Sequence, residues 1–104
     1  MQESKRRKLA AKGWVAGNAE DFLGLSKEEA AYIELRLKLA EGLKSKRQSK
    51  GVTQTQLAQT LSSSQSRVAK MESGDPTVSL DLLVKSLLAL GTSRRQIASI
   101  IAQR

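Results

Sequence analysis

The sequence predicts an all-α protein in which a compact domain of five helices follows a basic N-terminal arm and a short helical extension. Only one proline interrupts the chain, and its three aromatic residues, Trp14, Phe22 and Tyr32, all lie in its first third. A core built without later aromatics must use aliphatic side chains, and these recur at the three- and four-residue steps of helices. Three Ser/Thr-x-x-Glu/Gln pairs also stand where helices can begin.

Residues 1–25 are predicted to precede a domain that spans residues 26–104. Residues 1–12 carry five cations and one acid, which suits a solvated tail, an arm that contacts DNA, or a segment that orders on a partner. The rest of this region contains four large apolar residues. These either cover the end of the long helix or form a partner surface; they are Trp14, Phe22, Leu23 and Leu25.

The first long helix is predicted to begin after Ser26, which forms a capping box with Glu29. Apolar residues continue for about 22 residues, and the helix should end near Ser49, with Gly51 just beyond it. The apolar residues cover more than one face, so both faces must be buried. One face is expected to pack on the following helices. The other is expected to contact residues 13–25 or a second subunit.

Two short helices, at about residues 53–61 and 64–72, are predicted next. Thr53 and Gln56 form a second capping box, and Ser64 can begin the second helix. Inward positions are expected for Leu57, Ala58, Leu61, Val68 and Met71, with Gly74 ending the second helix. Two helices joined by a tight turn form the motif whose second helix lies in the DNA major groove.

The outward side of the second motif helix is polar or basic. Gln65, Ser66 and Lys70 have the side chains that hydrogen-bond base edges in the major groove, and we predict that they contact bases. Phosphate contacts are predicted for Arg67 and for three cations before the motif, Lys44, Arg47 and Lys50. The alternative is a helical hairpin whose basic face is merely solvated.

A fourth helix is predicted from Leu80 to Leu90, capped by Ser79 and ended by Gly91. Its leucines make it the main core element; they are Leu82, Leu83, Leu87, Leu88 and Leu90. Ser93 and Gln96 form a third capping box that begins the last helix. There Ile97, Ile100 and Ile101 form an apolar ridge, which either docks on the core or, as we favour, pairs across the axis of a homodimer.

Composition excludes several classes of function. The formal net charge of +8 favours a polyanion partner such as double-stranded DNA. The absence of cysteine and histidine leaves no thiolate, no histidine ligand and no histidine base, so we predict no cofactor, no metal site and no enzyme activity. No stretch of 18 apolar residues exists to span a membrane, and we expect a cytoplasmic protein.

The motif resembles that of the phage-repressor, or Cro-like, helix-turn-helix family. The similarity covers about residues 35–91 and rests on Val52-Thr53-Gln54, Leu57-Ala58, Ser64-Gln65-Ser66, Val68, Glu72-Ser73-Gly74, Pro76 and Ser79-Leu80. The resemblance implies a repressor that binds an operator, with Gln54 on a phosphate. The family usually has glycine in the turn where this chain has Ser62, and a positive φ there would strain the serine.

The segment FLGLSKEEAAYIELRLKLAEGLK, before the motif, is similar to HigA-type antitoxins of type II toxin–antitoxin systems. That resemblance implies a chain that represses its own operon and neutralises a ribonuclease toxin. Two alternatives stay open: a stand-alone phage-type repressor, for which residues 1–25 are only an arm, and a basic helical protein-interaction module that reads no DNA sequence.

Overall fold

The computed structural model describes Gly24 and residues 26–103, and this part of the chain forms five helices and no strand. The helices are α1 (Lys27–Ser49), α2 (Gln54–Thr60), α3 (Gln65–Ser73), α4 (Leu80–Ala89) and α5 (Arg94–Ala102). The chain divides into two units, Met1–Leu35 and Arg36–Arg104. The first contains the start of α1, and the second contains the rest of α1 and all the other helices.

The start of α1, in the first unit, has the predicted capping box. The backbone N–H of Glu29 donates to Ser26 Oγ at 3.1 Å, and the backbone N–H of Ser26 donates to Glu29 Oε1 at 3.0 Å. These bonds satisfy two backbone groups that the first helical turn leaves unpaired. The helix ends where predicted, with Gly51 at φ 68° just beyond it.

The core of the second unit is aliphatic, as predicted from the position of the aromatic residues. Every helix of this unit contributes to it, and the buried apolar side chains are Leu39, Ala40, Leu43, Leu57, Ala58, Val68, Met71, Val78, Leu83, Leu87, Leu90 and Ile97. Full burial of one such large side chain contributes about 1.5–3 kcal/mol. This burial fixes which side of each helix faces outward.

Helix α4 supplies fewer core leucines than predicted. Leu83, Leu87 and Leu90 are buried, but Leu88 is 48% exposed and Leu82 is half-buried. Leucines at consecutive positions lie about 100° apart around a helix, so they cannot all face one core. The assignment of Leu88 to the core was therefore wrong, and its side chain remains on the surface.

The last helix begins with the predicted box. Gln96 N donates to Ser93 Oγ at 3.1 Å, and Ser93 N donates to Gln96 Oε1 at 2.9 Å. The isoleucines of α5 do not form one exposed ridge, however. Ile97 is buried and Ile101 is 42% exposed. Ile100 packs so close to Gly42 of α1 that a Cβ there would lie 2.8 Å from Ile100 Cδ1. Two of the three isoleucines thus pack within the chain.

A buried arginine that the sequence analysis did not identify secures the loop between α3 and α4. The guanidinium of Arg36 donates to the backbone carbonyls of Asp75 and Val78, at 2.9 and 2.5 Å. Within this loop Thr77 donates to Asp75 Oδ1 from its hydroxyl, at 2.6 Å, and from its backbone N–H, at 2.8 Å. These two bonds hold the pKa of Asp75 below its ordinary value, and the bond from the Thr77 hydroxyl has the larger effect.

The predicted basic arm and the apolar set Trp14, Phe22, Leu23 and Leu25 lie outside the described residues. Their predicted roles therefore remain predictions. Among the residues that the structure does describe, no helix combines the length and the apolar character needed to cross a membrane.

Candidate nucleic-acid interface

Helices α2 and α3 form the predicted pair, and each begins at the predicted cap. Gln56 N donates to Thr53 Oγ1 at 3.0 Å, and Thr53 N donates to Gln56 Oε1 at 2.8 Å. Ser64 Oγ accepts from Arg67 N at 3.2 Å. Gly74, at φ 78°, ends α3 in the left-handed conformation that glycine adopts without steric cost.

The turn between the two helices uses a serine where glycine would be unstrained. Ser62 has φ 54°, and it is the one non-glycine residue of the described chain with positive φ. Backbone bonds from Ser62 N to Gln59 O, at 3.1 Å, and from Ser63 N to Ala58 O, at 2.8 Å, close the turn. The tight geometry expected from the resemblance is therefore present, at the cost of strain in one residue.

Burial determines which side of α3 is accessible. Val68 and Met71 are fully buried, and Leu57 and Ala58 of α2 are buried with them. Away from this buried side, α3 presents exposed polar or basic residues, and they are Gln65, Ser66, Arg67, Lys70 and Ser73. The three residues predicted to contact bases are therefore all accessible. Ser66 and Lys70 lie one helical turn apart, with Gln65 beside them.

The exposed surface of the motif carries no carboxylate. Between Gly51 and Ser73 the sequence has one acidic residue, Glu72, and its side chain is 3% exposed and paired with Arg47. Arg67 and Lys70 are therefore the exposed charges of this segment. A surface of this kind attracts a phosphate backbone without opposing local charge.

A chain of polar contacts leads from α1 to the exposed face of α3. Arg47 Nε donates to Glu72 Oε2 at 2.5 Å, and Arg47 Nη2 donates to Glu72 Oε1 at 3.1 Å. The same Oε1 accepts from Gln54 Nε2 at 3.0 Å. Gln54 Oε1 in turn accepts from Gln65 Nε2 at 2.6 Å. We call these four residues the Arg47–Gln65 relay.

The relay fixes the orientation of two amides. Glu72 accepts only, so Gln54 must turn its NH₂ group towards Glu72 and its carbonyl oxygen towards Gln65. Gln65 then donates one N–H to Gln54, and its second N–H and its carbonyl oxygen remain for other partners. One donor beside one acceptor is the pattern that pairs with the N7 and N6 edge of adenine.

The relay changes the role of Arg47. A phosphate contact was predicted for it, but the residue is 9% exposed. Its guanidinium binds Glu72 and also donates to Val52 O at 2.8 Å. Arg47 is therefore committed to the interior of the fold, and the prediction of a phosphate contact is not supported. The sequence analysis did not identify Glu72 as the partner of Arg47. A single acidic residue beside the inward-facing Met71, in an otherwise basic motif, could have indicated a buried ion pair.

The other predicted phosphate-binding residues differ in their surroundings. Arg67 and Lys44 are exposed, and Gln54 is half-buried within the relay. Lys50 is exposed too, and its ammonium group lies beside the α4–α5 turn, where a Cβ on Gly91 would come within 3.2 Å of Lys50 Nζ. Gln54 and Gln65 are thus in direct contact, whereas Lys50 lies beside a different loop.

A comparison with known protein families assigns the segment that contains α2 and α3 to a family. A family model described as helix-turn-helix matches residues 43–97, which is more than half of the chain and includes α2 to α4 entirely. Neither the curated proteins nor the solved structures contain a match.

Proposed function

The chain belongs to the helix-turn-helix family of DNA-binding transcription regulators, and we propose that it is a repressor that binds one operator sequence through α3. The observation that carries the proposal is the exposed, carboxylate-free face of α3, on which the relay holds Gln65 in one orientation. Pre-ordering lowers the entropy lost when a side chain binds. An amide held in this way discriminates between bases better than a freely rotating one.

The proposed contacts divide into two classes. Gln65, Ser66 and Lys70 contact base edges and carry specificity, each contributing about 1–3 kcal/mol of discrimination. Phosphates are bound by the exposed cations Arg67, Lys44 and Lys50 and by the half-buried Gln54, and these contacts position the protein without reading sequence. Arg47 acts only indirectly, by orienting Glu72.

The first experiment determines whether binding is sequence-specific. The full-length chain is used to select duplexes from a random pool, and the selected sequence is compared with the DNA upstream of its own gene by footprinting. The affinity for selected duplexes should exceed that for scrambled ones by about 10³-fold or more. Equal affinities for both, with a steep salt dependence, would leave only non-specific polyanion binding and would contradict a repressor function.

Homodimerisation is the second part of the proposal. Four large apolar side chains of the described residues are exposed, and they are Tyr32, Leu37, Leu88 and Ile101. We take Leu88 and Ile101, from the last two helices, as the dimer surface, and a dimer doubles the contacts to a symmetric operator. Of the predicted ridge, only Ile101 belongs to this dimer surface, because Ile97 and Ile100 pack within the chain. Leu88 is the second residue of the surface. A palindromic selected sequence would support this arrangement.

A toxin partner is the third part, and it rests on the resemblance to HigA-type antitoxins. The apolar residues before α1, Trp14, Phe22, Leu23 and Leu25, are the proposed contact surface. If a small neighbouring gene encodes a ribonuclease toxin, co-expression should restore the growth that the toxin alone prevents. Substituting Trp14 and Phe22 by alanine should abolish the rescue and leave DNA binding intact.

Two alternatives predict different results. A stand-alone repressor binds its operator, but no neighbouring product binds to it. A protein-interaction module shows no preference among duplexes, even at low salt. Operator binding together with a failure to rescue growth would therefore keep the repressor function and remove only the antitoxin role.

A further inference from the structure

The turn between α4 and α5 lies beside the residue that directly follows α1. A Cβ on Gly91 would come within 3.2 Å of Lys50 Nζ, so the ammonium group of Lys50 stands next to the turn from which α5 begins. Lys50 is exposed, and so are the first two residues of α5, Arg94 and Arg95. We call these three residues the α5 basic surface.

No acidic residue close in sequence opposes the charge of this surface. The chain has four cations and no acid from Gly42 to Lys50, and again four cations and no acid from Leu82 to its last residue. Within residues 26–103, none of the three side chains pairs with a carboxylate or donates a hydrogen bond. Their charges can therefore attract an external anion.

The two arginines are poorly placed to stabilise α5. The first turn of a helix carries partial positive charge, so acidic side chains stabilise it and cations destabilise it. Helix α5 has no acid in its first turn and begins with two arginines. Nor do they cover the core, because both are exposed and the buried residue of α5 is Ile97. A partner that carries negative charge gives a physical reason for this pair.

The contacts of the fold connect the α5 basic surface to the reading face of α3. Lys50 lies four residues before Gln54, the first residue of α2, and Gln54 Oε1 accepts from Gln65 Nε2 at 2.6 Å. The starts of α2 and α3 thus adjoin each other, and Lys50 adjoins the turn before α5. A DNA strand carries one phosphate per roughly 3.4 Å of helix axis. A strand bound at Lys50 therefore offers further phosphates to arginines a few residues beyond Gly91.

We propose that Arg94 and Arg95 bind phosphates of the operator backbone beside the phosphate bound by Lys50. The inference rests on the proposed DNA binding, and it extends the interface from the motif to a helix outside it. Contacts of this kind fix the position of the protein on the duplex and carry no sequence information. An acidic protein surface is the competing partner, and the test distinguishes it from DNA.

Salt dependence measures each contact separately. The full-length chain and its Arg94→Gln, Arg95→Gln and double variants are titrated with the selected operator and with a random duplex of equal length. Each single substitution should reduce the salt slope by about one unit on both duplexes. The double substitution should weaken binding about tenfold or more at roughly 0.1 M salt. Its preference among single-base variants of the operator should remain that of the wild type.

Lys85→Gln is the matched control, since it removes one positive charge from an exposed side chain. Lys85 Nζ already has a carboxylate partner, Asp81 Oδ2, at 3.1 Å. The salt slope of this variant should therefore equal that of the wild type. A smaller slope in the arginine variants alone then reports lost contacts rather than lost net charge.

A charge reversal separates DNA contact from a structural role. Replacing both Arg94 and Arg95 by glutamate places acids in the first turn of α5, where they complement the helix. The melting temperature should rise, while DNA affinity should fall further than with glutamine. A lower melting temperature with unchanged DNA affinity would show that the arginines serve the fold, and would overturn the proposal.

Ethylation interference locates the contacts on the duplex. At least one phosphate whose ethylation weakens wild-type binding should lose that effect in the Arg94→Gln, Arg95→Gln double variant. Salt slopes equal to that of Lys85→Gln would overturn the proposal and leave an acidic protein surface as the partner. Failure of the proposed function gives a different result. The wild type would then show no preference for the operator over the random duplex, and the slopes on either duplex would still test the arginines.

Discussion

Removing the carboxylate of Glu72 should be among the most damaging single substitutions in this chain. Its side chain is 3% exposed and that of Arg47 is 11% exposed, so Glu72→Ala leaves a guanidinium in the interior without its counter-ion. Removing one partner of a buried pair costs about 3–5 kcal/mol, a large part of the roughly 5–15 kcal/mol that stabilises a small domain. The melting temperature should fall by more than about 10 °C.

The chain offers a matched control in an exposed pair. Lys85 Nζ lies 3.1 Å from Asp81 Oδ2, with both side chains at least 70% exposed. Lys85→Ala should change stability by no more than about 0.5 kcal/mol, because solvent screens such pairs. Both variants are unfolded with urea and by heating, followed by circular dichroism. Equal losses for Glu72→Ala and Lys85→Ala would refute the buried pair, and with it the ordering of Gln65 through the relay.

A double substitution separates stability from recognition. Replacing Arg47 by Met and Glu72 by Leu removes both charges, and such apolar replacements are often neutral or stabilising. Most of the lost stability should return, but Gln54 then has no acceptor and Gln65 loses its fixed orientation. Operator affinity should therefore stay below that of the wild type while the melting temperature recovers. Recovery of both together would show that the relay serves folding only.

Three further predictions use other parts of the structure. Ser62→Gly should raise the free energy of unfolding by about 1 kcal/mol, because glycine adopts φ 54° without strain; an unchanged urea midpoint would contradict this. The pKa of Asp75 is lowered in the folded state from 3.8, so its contribution to stability is present above that value and is lost as the pH falls below it. Thr77→Val, which removes the hydroxyl bond, should therefore reduce the loss of melting temperature between about pH 5 and pH 2, and an unaltered pH profile would refute that cause. Substituting Leu88 and Ile101 by serine should lower the molar mass measured by light scattering to that of a monomer without changing the helical content, and a persisting dimer would place the interface elsewhere.

Local signals in the sequence predict much of this fold. Each cap depends on residues only three apart, so Ser26, Thr53 and Ser93 could be assigned without knowledge of the tertiary structure. The inward positions of Val68 and Met71 follow from helical spacing and a well-marked turn. The exposure of Ser66 and Lys70 on the opposite side follows from theirs.

What the sequence did not reveal depends on distant partners. Arg47 stands in a run of cations and looks like a phosphate contact, because its partner Glu72 is 25 residues away. Arg36 likewise binds carbonyls about 40 residues further along the chain. In α4 the leucines are too numerous for spacing alone to select the buried face, which is why Leu88 was misassigned. Contacts between distant parts of the chain decide all three.

The most direct test of the account compares Gln65→Ala with Lys50→Ala on the selected operator and on its single-base variants, at several salt concentrations. Gln65→Ala should cost about 1–3 kcal/mol on the operator and lose the preference at one base pair in each half-site. Lys50→Ala should weaken binding to every duplex alike and reduce the salt slope by about one unit. If the two variants change affinity equally across all duplexes, α3 does not read bases through Gln65, and the central claim is contradicted.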